Sequence, residues 1–67
     1  MQYFKVMLLL EGSPTQVWSP LVAADEEQAF ALARSNSANT RFLPIRDSLT
    51  QISQEEYNDL VRAATGT

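Results

Sequence analysis

The sequence predicts an α+β fold: a small antiparallel sheet with elements in the order β-β-α-β-α, and helices packed on the sheet. Three observations carry that expectation. An apolar run, Tyr3 to Leu10, stops at a cluster of turn residues, Glu11-Gly12-Ser13-Pro14-Thr15. Two later segments open with helix-capping patterns, Asp25-x-x-Gln28 and Ser53-x-x-Glu56. The chain has only 67 residues, so it forms one domain, and helices laid on a sheet are a standard way to bury an apolar sheet face.

Tyr3–Leu10 reads as the first strand. Gly12 and Pro14 supply turn chemistry, and Gln16–Ala24 reads as a second strand returning antiparallel to the first. Pro20 has no N–H to give to a ladder, which places this strand at an edge or at a bulge.

The segment Ala24–Asn36 reads as a helix. Asp25 caps it, Gln28 completes the box, and Glu26 and Glu27 sit in the first turn, where the helix dipole favours negative charge. Ala29, Phe30, Leu32 and Ala33 form its apolar stripe, and Ser35–Asn39 should end it.

Thr40–Asp47 reads as a shorter third strand with an irregularity or edge at Pro44, and Ser48–Gln51 as a loop or extended continuation. The final helix starts at Ser53, with Ile52 positioned to pack on Tyr57 as a hydrophobic staple. Tyr57, Leu60, Val61 and Ala64 fall at i, i+3, i+4 and i+7 on one face, and Gly66 is placed to end the helix.

The first strand is apolar on both faces. Phe4, Val6, Leu8 and Leu10 make one row, which should meet the core. Tyr3, Lys5, Met7 and Leu9 make the other. In the second strand Leu21 and Ala23 suit the core side, which sends Val22 to the second face. Trp18 joins it unless a bulge at Pro20 reverses the parity.

Each large apolar side chain left in water forgoes roughly 1.5–3 kcal/mol, so something should cover Tyr3, Met7, Leu9, Trp18 and Val22. Two covers fit: the second helix folded back across that face, or another chain, either a second copy or a different protein. Arg41 and Arg46 flank the third strand and could serve as rim charges for such a partner.

The composition excludes several kinds of chemistry. With no cysteine and no histidine, the usual nucleophile, general base and zinc ligands are missing. Of the eight carboxylates, Asp25, Glu26, Glu27, Glu55, Glu56 and Asp59 are explained by helix starts. Glu11 and Asp47 are left as the pair that could act as acid and base. The two glycines are far apart, so no phosphate-cradling loop exists. The chain is therefore expected to lack catalytic residues, metal ligands and a cofactor.

A net charge of −3 with scattered Lys5, Arg34, Arg41, Arg46 and Arg62 argues against nucleic acid, which needs clustered cations to displace counterions. No apolar run is long enough to span a membrane, and the start lacks a signal-peptide pattern, so a cytoplasmic location is expected.

The run Leu21-Val-Ala-Ala-Asp-Glu-Glu-Gln-Ala-Phe-Ala-Leu-Ala33, within residues 3–35, is similar to the strand-into-helix pattern of small phage and mobile-element proteins, some anti-CRISPR proteins among them. The resemblance implies a short, acidic β-β-α protein that acts without catalysis, docking on a host defence protein in the host cytoplasm and blocking it sterically. Beside this non-enzymatic protein-binding reading stand two others: a structural homo-oligomer subunit that dimerises through its second sheet face, and an accessory domain for a small ligand.

Overall fold

Strand β1 (Gln2–Leu10) is the centre of the sheet. On one side it pairs antiparallel with β2 (Gln16–Ala23). On the other it pairs with two short strands in succession, β4 (Thr50–Ile52) opposite Tyr3–Lys5 and β3 (Phe42–Pro44) opposite Leu8–Leu10. Helix α1 (Glu26–Ser37) links β2 to β3, and α2 (Gln54–Thr65) follows β4. The computed structural model describes residues 1–65, so the expected stop at Gly66 lies outside the described residues.

The hairpin closes through Leu10 and Thr15, whose N–H and C=O meet at 3.0 Å, and through a turn in which Ser13 N–H donates to Leu10 O at 3.1 Å. Gly12 occupies the third turn position with φ 79°, a region that L side chains rarely adopt. The β1–β2 register runs unbroken from Gln2↔Ala23 to Leu9↔Gln16, without a bulge. Pro20 is tolerated because β2 is an edge strand, and the regular parity puts Trp18, opposite Met7, on the second face.

The first face carries the core. Phe4, Val6, Leu21, Ala23, Ala29, Ala33 and Leu49 are buried together, with Leu8 and Phe30 against them. Small Ala29 and Ala33 let α1 approach the sheet closely. Asp25 caps α1 as expected, its Oδ1 accepting from Gln28 N–H at 2.8 Å, while Gln28 Oε1 accepts from Ala24 N–H at 2.6 Å. Leu32, expected in the stripe, is exposed, because the buried line runs Ala29, Ala33, Ser37 at intervals of four. Ser37 is tolerated there, and the helix continues through it, because its Oγ donates to Ala33 O at 2.8 Å.

The expected third strand is split. After Pro44 the chain makes a 3-10 turn, Arg46–Ser48, before resuming as β4. The turn faces Met7, whose N–H and C=O point away from β2 into the gap between β3 and β4. Ile45 N–H donates to Met7 O at 2.9 Å, and Met7 N–H donates to Ser48 Oγ at 2.8 Å. A lost partner for a partly buried N–H costs about 1–3 kcal/mol. Ser48→Ala should therefore lower stability by about 1–2 kcal/mol, read as a shift in urea midpoint at unchanged slope.

Candidate docking face

The second face of the sheet is best described as four rows crossing β1, fixed by strand register. Tyr3 lies between Val22 and Ile52, and Lys5 between Pro20 and Thr50. Met7 lies between Trp18 and the start of the 3-10 turn at Ile45, and Leu9 between Gln16 and Leu43.

Helix α2 covers the first two rows. It begins on the β4 side, where Ile52 pairs with Tyr3, and makes contact with both β1 and β2, so it crosses the strands. The Tyr57 ring stacks at a tilt on Tyr3, centroids 5.0 Å apart. Ser53 caps α2, its Oγ accepting from Glu56 N–H at 3.1 Å. Glu56 does not return the bond as a capping box would. It turns instead to Lys5, with Nζ–Oε2 2.8 Å. Tyr57, Leu60 and Val61 are half-buried as the periodicity requires, whereas Ala64 is exposed.

The remaining two rows lie toward the hairpin, beyond Lys5. Leu9 is four residues past Lys5, roughly 13 Å along the strand, more than the radius of a helix seated over Tyr3 and Lys5. This half keeps its apolar surface open: Trp18 is 40% and Leu43 50% exposed, with Met7, Leu9 and Ile45 half-buried around them.

Lys5 marks the boundary between the halves. Its Nζ sits 4.5 Å from the centroid of the Trp18 ring while bound to Glu56. The lysine thus ties α2 to the sheet and holds the indole in place. A half-exposed pair of this kind is worth about 0–1 kcal/mol, weakened by salt. A Lys5→Ala, Glu56→Gln double-mutant cycle should give a coupling below about 1 kcal/mol, smaller still at high salt.

The predicted residues thus divide. Met7, Leu9 and Trp18 meet on the open half, while Tyr3 and Val22 share the row that α2 covers. Arg41 stands at the hairpin end, its carbonyl accepting from Glu11 N–H at 2.9 Å. Arg46 belongs elsewhere: the 3-10 turn points it toward α1, 5.5 Å over the Phe30 ring and 4.0 Å from Glu26. Leu43 joins Met7, Leu9 and Trp18 on the open half, opposite Leu9. Its place opposite Leu9 depends on a pairing that local sequence does not encode.

Other sites are poorly furnished. Glu11 opens the hairpin turn and Asp47 lies in the 3-10 turn level with Met7, roughly 13 Å apart along the strand. Among the described residues no group of three acidic side chains could hold a metal ion, and no helix is long and apolar enough to cross a membrane. A cleft of about 200 Å³ opens between Leu8, Ser19, Ser37, Thr40 and Phe42. It is smaller than usual ligand pockets. Its Ser37 hydroxyl donates to Ala33 O, and Thr40 Oγ1 donates to Ser37 O and accepts from Phe42 N–H. No family model, curated protein or solved structure matches the chain.

Proposed function

We propose that the chain is a non-enzymatic protein-binding module that docks through the open half of its second sheet face: Met7, Leu9, Trp18 and Leu43. The single observation that carries this reading is the pairing of an exposed tryptophan with an exposed leucine on a sheet face whose other half is already closed by α2. Exposed Trp and Met on a contiguous apolar patch are the residue types that interfaces favour. Trp18 is also held in place by Lys5, so little conformational freedom remains to be lost on binding.

Docking by strand addition is disfavoured at β2 and at β3. The alternation of an antiparallel ladder turns the backbone of Trp18, Pro20 and Val22 outward on β2, and Pro20 offers no N–H in the middle of that series. On β3 the outward N–H of Phe42 is taken by Thr40 Oγ1, and Pro44 has none. The face is left as the place to bind. The form we attach to this reading is the one the resemblance implies, a cytoplasmic inhibitor that occupies a site on a host defence protein.

The test immobilises the full chain beside a Leu43→Asp variant whose fold is verified by NMR. A partner protein held by the parent and released by the variant, with the parent monomeric in light scattering, is the expected result. A parent dimer that buries Trp18, or retention unaffected by Leu43→Asp, would overturn the proposal.

A further inference from the structure

We infer that the groove between the last turn of α1 and β3 is a site for a small organic carboxylate, held by Arg34. The inference is independent of the docking reading and adds a second site to the chain.

A cleft of about 280 Å³ opens there, bounded by Arg34, Ser37 and Thr40 on the helix side and by Phe42, Leu43 and Pro44 on the strand. That is close to the smallest usual ligand pockets, about 300 Å³. Nearly every donor in its wall is already used. Ala38 N–H donates to Ser35 O, Thr40 N–H to Ser37 O, and Phe42 N–H to Thr40 Oγ1. Leu43 pairs with Leu9 in the ladder, and Pro44 has no N–H. The Ser37 and Thr40 hydroxyls donate to Ala33 O and Ser37 O, each at 2.8 Å. What remains is the Arg34 guanidinium, which has no ion pair or hydrogen bond among the described residues. Lys5, Arg46 and Arg62, by contrast, each reach a carboxylate within 4.0 Å.

An arginine in a last helical turn ordinarily answers the negative end of the helix dipole. Here the carbonyls of that turn have other donors. Arg34 O is met by Ser37 Oγ at 3.4 Å, Ser35 O by Ala38 N–H, and Ser37 O by Thr40. No carboxylate lines the cleft among the described residues, so the guanidinium is left for a ligand. Its two parallel N–H groups match the two oxygens of a carboxylate. A phosphate would turn further oxygens toward a wall that has no donor for them. Phe42 and Pro44, both half-buried, favour an apolar body behind the carboxylate.

Titration of the full ¹⁵N-labelled chain with phenylacetate, its uncharged counterpart phenylacetamide and inorganic phosphate tests this. Phenylacetate should shift the Arg34 Nε–H and the Thr40 and Phe42 amides saturably at millimolar concentration, leaving the Trp18 indole unmoved. It should bind at least tenfold tighter than either of the others. Arg34 is exposed, so its replacement leaves the fold intact. Arg34→Gln should lose at least tenfold in affinity, and Arg34→Lys, which keeps the charge without the fork, should fall between. Equal binding by phenylacetamide, or affinity unchanged in Arg34→Gln, overturns recognition by Arg34. Phosphate binding as tightly as phenylacetate overturns the carboxylate class. Shifts centred elsewhere, or none, overturn the site.

Discussion

Phe4→Ala should leave the chain largely unfolded at 37 °C. Phe4 is fully buried and is, with Val6, one of the two largest side chains with no exposure. Truncating such a phenylalanine costs about 3–5 kcal/mol, and the cost rises when neighbours cannot move in to fill the space. Here the neighbours include Ala23, Ala29 and Ala33, which have no side-chain length to extend into a cavity. A domain of this size has a total stability of about 3–10 kcal/mol. The loss therefore consumes about three-tenths of it at the least and can exceed it. Leu32→Ala is the control: Leu32 is more than a third exposed, and its loss should cost about 1 kcal/mol or less. Chemical denaturation followed by circular dichroism checks both. A Phe4→Ala loss no greater than that of Leu32→Ala would place the core somewhere other than between α1 and the sheet.

The second large effect is on binding. Trp18→Ala should weaken partner affinity by about 2 kcal/mol or more, roughly 30-fold. An exposed tryptophan offers a partner the largest apolar side chain of the patch, and this one is already oriented by the Lys5 ammonium. The same substitution removes that cation–π contact, worth about 0.5–1 kcal/mol, so stability falls modestly while the fold remains. Leu43→Asp separates the two effects. Leu43 is half exposed, so its replacement should cost little stability yet place a charge on the docking surface. Titration calorimetry on both variants reads the change. Unaltered affinity in both would remove the open half from the interface.

Much of the scaffold is legible in the residues because it rests on local rules. The hairpin follows from an apolar run broken by Gly12 and Pro14, and both helices announce themselves through Asp25 and Ser53. Pro20 signals an edge, and β2 is one. Elements that depend on distant partners are less visible. The 3-10 turn at Arg46–Ser48 carries no strong propensity; Ser48 Oγ and Ile45 N–H hold it against Met7, some forty residues earlier. That turn also swings Arg46 away to Phe30 and Glu26. Local propensity over Thr40–Asp47 favours a straight strand and carries no signal for that change of direction.

The candidate site is legible to the same degree. An apolar second face is evident from Tyr3, Met7 and Leu9, and the unbulged register fixes Trp18 with them. How much of that face α2 hides depends on the direction of one helix after β4. The Tyr3–Tyr57 and Lys5–Glu56 contacts set that direction, and both are long-range. The covering helix and the open surface, which read as alternatives along the chain, occupy different halves of the same sheet. Leu43 enters the open half through its pairing with Leu9, a contact across more than thirty residues.

The most direct test is NMR paramagnetic relaxation from a neutral gadolinium chelate in solvent, recorded on the free protein at low and high concentration. Strong relaxation at the Trp18 indole and Leu43 methyls, weak relaxation at Tyr3 and Val22, and no change with concentration is the predicted pattern. Protection of Trp18 and Leu43 at either concentration, or relaxation of Tyr3 and Val22 equal to theirs, would contradict the division of this face into a closed half and a docking half.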